Sequence, residues 1–196
     1  MGAHQVLSRT KGLALRRYAG ASSSGQAPVQ ILLDGEAAAI ESYLTYGELQ
    51  DQFKPWLGVV GSVWRCDRHW REYFNDLVDR HAANLTSLDG RMHVSVSCFV
   101  QLLRPKNFLI SEFGSPDETK EVMYATGTAM TKCKGHWATD GGLTNCCPIF
   151  KDGVRSNIVI NPTKAALPLG MVARYTFEAA VAAIELGQDD MAAYLK

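Results

Sequence analysis

Residues 18–26, YAGASSSGQ, place three serines between a short apolar run and a glycine, and they decide how the N-terminal part of the chain folds. The preceding run LALRRYA (13–19) has the length and boundaries of a strand, and apolar residues at helical spacing follow the serines. A strand that passes directly into a helix through Gly-x-Ser is the sequence form of a nucleophile elbow, a sharp turn that exposes a serine hydroxyl. Gly20, Ser22 and Gly25 fit this form, although serine-glycine clusters also occur in ordinary polar loops.

The composition predicts one domain spanning residues 1–196, long enough to bury a sizeable core. Twenty basic and twenty acidic side chains cancel, so the net charge gives no reason to expect a nucleic-acid partner. No apolar run is long enough to span a bilayer, and the N-terminus lacks the apolar centre of a secretory signal. Five cysteines, an odd number, favour reduced thiols. Together these features predict a cytoplasmic protein without a transmembrane segment.

Strands and helices alternate along most of the chain. HVSVSCFV (93–100) alternates small polar and apolar residues, as a strand does, and residues 67–85 carry an apolar stripe at helical spacing. Ser115 followed by Pro116 predicts the start of another helix. Further strands are expected at 13–19, 107–113 and 157–161, and further helices at 3–10, at 27–47 with an interruption near Gly35, and at 170–187. This order predicts an α/β layered fold with a largely parallel central sheet.

A second motif lies late in the chain, in WATDGGLTNCCPIF (137–150). An aspartate followed by two glycines is often only a turn, because glycine adopts positive φ without steric cost. Here Asp140 stands between an aromatic-flanked segment and a short apolar run. We therefore expect it at the rim of the sheet.

Together the two motifs resemble the patatin-like phospholipase family, in which an early Gly-x-Ser-x-Gly elbow and a late Asp-Gly-Gly form a Ser-Asp dyad without a histidine. YAGASSSGQ, HVSVSCF, YATGTAM and WATDGGLTNCCPIF occur in the order of the family. The resemblance covers about residues 13–162, which leaves 163–196 as C-terminal helices. It implies a three-layer α/β/α fold.

Carried over by position, the resemblance implies Ser22 as the nucleophile and Asp140 as the base that takes its proton. Gly20, Ser23 and Gly25 would then shape the elbow, and Gly141 and Gly142 the turn that presents Asp140. An alternative register makes Ser23 the nucleophile. The resemblance further implies a phospholipid or acylglycerol ester as substrate, peripheral contact with lipid surfaces, and no metal or other cofactor.

The sequence departs from the family pattern at two places. Only Gly2 and Gly12 precede Gly20, so the glycine-rich oxyanion loop and the first strand of the family are expected to be missing. The family glycine two places after the nucleophile is Ser24 here, which adds a β-carbon where the turn is expected to be tightest. Both departures favour an alternative function, a catalytically impaired relative that binds lipid.

Cysteine and histidine residues offer a competing constellation. Cys66-x-x-His69 and Cys133-x-x-His136 each have a spacing that can supply two zinc ligands, with Cys146 and Cys147 nearby in sequence. His136 also lies four residues before Asp140, which raises the alternative of a Ser-His-Asp triad. A glycine-punctuated apolar segment, 56–64, is the candidate for a lid or an acyl-chain wall.

Overall fold

The computed structural model describes residues 17–52, 58–101, 104–127 and 130–150, together with residues 6, 9, 185, 188, 189 and 191–193. The helices are α1 (Ser23–Asp34), α2 (Glu36–Gln52), α3 (Gly58–Arg80), α4 (Pro116–Gly127) and α5 (Gly142–Asn145), with a 3₁₀ helix at Ala82–Leu88. The strands are β1 (Tyr18–Ala21), β2 (Met92–Gln101), β3 (Arg104–Ile110), β4 (Thr131–Cys133) and β5 (His136–Asp140).

The described residues divide into two compact units at Asp34/Gly35 and at Trp70/Arg71. One unit holds α2 and the first part of α3. The other holds β1, α1 and the chain from Arg71 to Phe150, and it contains the whole of the described sheet. The expectation of one domain spanning residues 1–196 stays a prediction.

Strand β2 is the centre of the five-stranded sheet, because it pairs with three other strands. It is parallel to β1 and antiparallel to β3 and β5, and β4 pairs with β5 in the antiparallel sense. Val94, Val96 and Cys98 are buried on one face of β2, and Ser95 and Ser97 are buried on the other. The central strand is therefore covered on both faces.

The core of the sheet-containing unit is formed by the apolar stripe of α3 and by side chains from α1, the 3₁₀ helix, β2, α4 and the segment between β3 and α4. Its apolar members with at most 2% of their surface exposed include Val29, Phe74, Leu77, Val78, Leu85, Leu88, Met92, Val94, Phe113 and Met123. The predicted stripe of residues 67–85 is thus confirmed as a core face. The helix starts earlier than expected, at Gly58, and ends at Arg80 before the 3₁₀ helix.

Ionic contacts tie the end of α1 to the end of α3. The Arg80 guanidinium donates to both carboxylate oxygens of Asp34, at 2.9 Å each, and His81 Nε2 lies 2.5 Å from Asp34 Oδ1. Such a bidentate contact fixes the relative orientation of the two side chains as well as the distance between them. The helix that follows the serine-rich turn is therefore held at its far end.

Two helix boundaries follow the predicted punctuation. Gly35, with φ of 89°, separates α1 from α2, a conformation that glycine adopts without a β-carbon clash. Ser115 caps α4, since its Oγ accepts the Glu118 N–H at 3.3 Å, and Pro116 is the first helical residue. Both predictions are confirmed.

The expectation of a largely parallel sheet is wrong for the described strands, because only the β1–β2 pair is parallel. The reason is the short connections that the sequence patterns did not reveal. Two residues separate β2 from β3, and Lys134 and Gly135 alone separate β4 from β5. A connection this short can only return the chain as an antiparallel hairpin.

Several expected elements lie outside the described residues. These are the strand at 157–161, most of the helix at 3–10, and the C-terminal helices of 163–196 apart from residues 185, 188, 189 and 191–193. Residues 56–57 of the candidate lid also fall outside, while its remainder belongs to α3. The mixed α/β class is confirmed, and the three-layer arrangement stays a prediction. Within the described ranges, no helix is long and apolar enough to cross a membrane.

Candidate active site

The two motifs meet because β1 and β5 share one edge of β2. Ala21, the last residue of β1, pairs with Ser95, and Asp140, the last residue of β5, pairs with the next residue, Val96. Strand β3 pairs with residues 94–98 from the other edge. Since β1 runs parallel and β5 antiparallel to β2, their C-terminal ends face each other. Ser22, which follows Ala21, therefore arrives beside Asp140.

Ser22 forms the turn between β1 and α1 in a strained conformation. Its φ is 56°, in the left-handed region that residues with a β-carbon rarely adopt. Its carbonyl oxygen accepts the Gly25 N–H at 2.9 Å and the Gln26 N–H at 3.3 Å, so the helix begins directly after it. The serine therefore occupies a sharp strand-to-helix turn, as the elbow motif predicts.

Gly25 allows the first turn of α1 to pack against β1. A β-carbon at this position would lie 3.0 Å from the Gly20 carbonyl oxygen, which is tighter than nearly all real contacts. The close approach therefore lies at Gly25, one residue beyond the position that the resemblance assigns to a glycine. The expectation that Ser24 occupies the tightest point of the turn stays a prediction.

The Asp140 carboxylate accepts the Gly142 N–H at Oδ1, at 2.6 Å, and the Ser22 hydroxyl lies near enough to lower the pKa of this carboxylate through a hydrogen bond. Burial raises the pKa of Asp140 above its ordinary value, and the two hydrogen bonds reduce that rise because they favour the charged form. The proposed nucleophile and the proposed base are thus neighbours. A hydroxyl proton lies near a carboxylate that binds protons more tightly than usual.

Position 141 requires glycine because there is no room for a β-carbon. The φ of Gly141 is −61° and Gly142 lies in α5, so neither glycine uses the positive φ that the motif suggests. A β-carbon on Gly141 would lie 1.9 Å from the Ser95 carbonyl oxygen. The turn that follows Asp140 is thus pressed against β2.

A partly buried polar network supports the backbone of that turn. Ser97 Oγ donates to the Asp140 carbonyl oxygen at 2.7 Å and lies 2.7 Å from Thr144 Oγ1. Asn107 Nδ2 donates to Ser95 Oγ at 2.6 Å and to Thr144 Oγ1 at 3.1 Å. Hydroxyl and amide groups thus satisfy one another between β2, β3 and α5.

Sequence reasoning missed these supporting residues, and it also missed Thr126 in α4. Thr126 Oγ1 accepts the Ser22 N–H at 3.0 Å and donates to the Ser95 carbonyl oxygen at 2.8 Å. The available signal was the pair of serines inside the strand HVSVSCF, since a polar side chain on a central strand needs a partner.

The start of α1 supplies backbone donors beside Ser22. The first intrahelical bonds to the Ser22 carbonyl come from Gly25 and Gln26. The N–H groups of Ser23 and Ser24 precede them and have no partner within the helix. The positive end of the helix dipole lies at the same place.

The zinc constellation does not assemble among the described side chains. Cys133 and His136 are paired residues of the β4–β5 hairpin, so their spacing reflects a two-residue turn. Cys133 is fully buried, whereas His136 is exposed and stacks on Phe108 with ring centroids 6.4 Å apart. No group of three or more His, Cys, Asp or Glu residues that could hold a metal occurs in the searched, described part of the chain.

The triad alternative is not supported by the position of His136. His136 begins β5 and Asp140 ends it, so the two residues lie at opposite ends of the strand. The histidine ring contacts Phe108, and the Asp140 carboxylate is engaged by Ser22 and Gly142. The described contacts therefore pair the serine with the carboxylate directly.

No model of a known protein family matches the sequence, and no curated protein matches it. The function is therefore inferred from the geometry of the site and from the order of its motifs.

Proposed function

We propose that this chain is a patatin-like lipid acyl hydrolase in which Ser22 attacks a carboxylic ester and Asp140 accepts its proton. The supporting observation is the hydrogen bond from the Ser22 hydroxyl to a partly buried carboxylate, at a turn with φ of 56°. Strain of this kind in a residue with a β-carbon clusters at active sites. The choice of a phospholipid or acylglycerol ester is supported by the order of the motifs, which resembles that of patatin-like phospholipases.

The first chemical step is proton transfer coupled to attack. A serine hydroxyl is a weak nucleophile until a positioned base removes its proton. Ser22 Oγ bonds to the ester carbonyl carbon, its proton moves to Asp140, and the carbonyl oxygen becomes an oxyanion. The raised pKa of Asp140 makes the carboxylate a better proton acceptor than an exposed aspartate. The Gly142 N–H holds the carboxylate in its orientation.

The start of α1 is the candidate oxyanion site. The N–H groups of Ser23 and Ser24 lie at a helix N-terminus next to Ser22, where the dipole favours negative charge. One such donor typically contributes about a hundredfold or more to the rate.

Collapse of the tetrahedral intermediate completes acylation. The bond to the leaving alkoxide breaks, the alkoxide takes the proton from Asp140, and the acyl group stays as an ester on Ser22. Water then attacks this ester while Asp140 accepts one of its protons. The bond between the acyl carbon and Ser22 Oγ breaks, Ser22 Oγ takes the proton from Asp140, and the fatty acid leaves. The scheme needs no metal or organic cofactor.

The test is hydrolysis of a short p-nitrophenyl ester by the purified chain. Ser22→Ala and Asp140→Asn are each expected to lower kcat by about a thousandfold or more, because removal of either member of a catalytic pair also disables the other. Ser23→Ala, which tests the alternative register, and Asp117→Asn, an exposed carboxylate on α4, are the matched controls and should retain activity. Wild-type activity in either the Ser22 or the Asp140 variant would contradict the proposal.

A second candidate function is lipid binding without catalysis. The observation that favours it is the contact between the Ser22 N–H and Thr126, which leaves this N–H unavailable as a further donor beside those of Ser23 and Ser24. A fluorophosphonate probe separates the two functions, because it labels an activated serine. Binding to phospholipid vesicles without labelling of Ser22 would favour this candidate over hydrolysis.

A further inference from the structure

Thr126 connects three elements through one hydroxyl group. It lies at the end of α4, and its side chain is fully buried. Its Oγ1 accepts the Ser22 N–H at 3.0 Å and donates to the Ser95 carbonyl oxygen of β2 at 2.8 Å. With one donor and one acceptor both engaged, the hydroxyl has a single preferred orientation.

The amide that Thr126 holds belongs to the strained residue. A positive φ in a residue with a β-carbon persists only where the surrounding structure enforces it. Because φ describes rotation about the N–Cα bond, a fixed direction of the Ser22 N–H also restricts the direction in which its side chain leaves the backbone. Thr126 therefore acts on the Ser22 hydroxyl through the backbone, without touching that hydroxyl.

The other partner of Thr126 belongs to the support of Asp140. The Ser95 hydroxyl donates to the carbonyl oxygens of Gly141 at 3.3 Å and Asn145 at 3.1 Å. Gly141 directly follows Asp140, and its backbone is pressed against Ser95. One chain of contacts thus runs from the serine turn through Thr126 and Ser95 to the aspartate turn.

We propose, on the basis of the proposed function, that Thr126 is a positioning residue that sets the Ser22 hydroxyl in line with Asp140. A threonine hydroxyl in a helix often bonds only the carbonyl four residues earlier. Thr119 does so on the same helix, donating to the Ser115 carbonyl at 2.8 Å, and it is also fully buried. Thr126 instead bonds residues 104 and 31 positions away. Thr119 is therefore a matched control for the loss of a buried threonine hydroxyl.

The experiment measures fluorophosphonate labelling of Ser22 together with kcat and KM for a p-nitrophenyl ester. Thr126→Val removes the hydroxyl at nearly constant volume. It should lower the labelling rate and kcat by about ten- to a hundredfold, since small misplacements of reacting groups cost rates of this order. KM and the acidic limb of the pH profile should stay unchanged, because Thr126 does not contact the Asp140 carboxylate.

Two further variants separate positioning from packing. Thr126→Ser keeps the hydroxyl and should label within about twofold of the wild type, well inside the loss expected for Thr126→Val. Thr119→Val should label at the wild-type rate. Melting temperatures confirm that each variant folds. If Thr126→Val does not fold, the labelling rate of Thr126→Ser decides whether the inference stands.

Two results would overturn the inference: labelling of Thr126→Val at the wild-type rate, or a loss in Thr126→Ser as large as that in Thr126→Val. An unlabelled wild type would instead overturn the proposed function, and this inference with it. If the positioning role alone fails, the wild type and Thr126→Val are both labelled, and at the same rate.

Discussion

Burial raises the pKa of Asp140, so the folded protein resists the charged form that proton abstraction requires. The Ser22 hydroxyl and the Gly142 N–H stabilise that charge, but they do not fully offset the loss of water. At the residue scale, the requirements of the proposed reaction and of stability therefore differ at this position. The difference can be measured through the pH dependence of the free energy of unfolding.

Asp140→Asn is expected to be more stable than the wild type at neutral pH. The unfolded aspartate titrates near pH 3.9, and the folded one titrates at higher pH, so the wild type loses stability as pH rises between these values. Below about pH 3.9 both states are protonated and the variant should gain nothing. Urea unfolding from acidic to neutral pH provides the measurement.

The control for this prediction is Asp117→Asn. Asp117 is exposed in the first turn of α4, where the helix dipole favours a carboxylate, so its replacement should bring no gain. A neutral-pH stability for Asp140→Asn that equals the wild-type value would show that ionisation of Asp140 is not opposed by folding.

Ser22 and Asp140, the two residues of the proposed dyad, could be singled out from sequence because each belongs to a local pattern, Gly-x-Ser and Asp-Gly-Gly. The contacts of Thr126 and Ser95 could not, because a hydroxyl inside a helix or strand can indicate that a partner is needed but not which distant residue supplies it. The need for glycine at position 141 was anticipated, but its cause was not. The β-carbon clash with Ser95 depends on tertiary contact, whereas the expected reason was a local backbone torsion.

At the scale of elements, the β4–β5 hairpin brings Asp140 back along β2. Its turn consists of Lys134 and Gly135, with φ of 47° and 79°. Two successive positive φ angles define a type I′ turn, whose twist matches that of paired strands. The turn therefore fixes the register that ends β5 at Asp140.

Gly135→Ala is expected to lower the free energy of unfolding by about 1 kcal/mol, because it forces a β-carbon into positive φ. Space around the residue is not the cause, since an added β-carbon would meet nothing within 4 Å. Gly114 has the same open surroundings without the positive φ, so Gly114→Ala is the matched control and should change stability little. Equal effects of the two substitutions in urea unfolding would contradict the turn assignment.

Elements with strong local signals were predictable, and those set by pairing were not. The apolar stripe of α3, the cap at Ser115 and the break at Gly35 are all properties of neighbouring residues. The short strands β4 and β5 lack such a signal, and Cys133 and His136 suggested metal ligands because a two-residue hairpin produces the same spacing. The direction of a strand depends on its connection, which is why the sheet was expected to be largely parallel.

At the scale of the whole molecule, tertiary packing separates the thiols into two classes. Cys98 and Cys133 are buried, and burial raises the pKa of both, that of Cys133 to about 12. Cys146 is exposed. Since the thiolate is the reactive form, folding is expected to protect the first two thiols and leave Cys146 reactive.

Alkylation with iodoacetamide at neutral pH should therefore modify Cys146 before Cys98 and Cys133. Cys133 should react more than about a thousandfold more slowly in the native protein, because a pKa near 12 leaves little thiolate. Peptide mass spectrometry after timed labelling gives the rates, and the same reaction in urea, where all thiols react, is the control. Rapid native alkylation of Cys133 would contradict the described packing.

The shared edge of β2 has a consequence for how this architecture can change. Ser22 and Asp140 are placed side by side by neighbouring residue pairs along one edge of β2, so the covalent path between them does not set their separation. Loops along that path can lengthen, shorten or be reconnected by circular permutation while the pair stays aligned. If β1 or β5 shifted by one residue in its pairing with β2, the side chains of Ser22 and Asp140 would separate, even with every side chain unchanged.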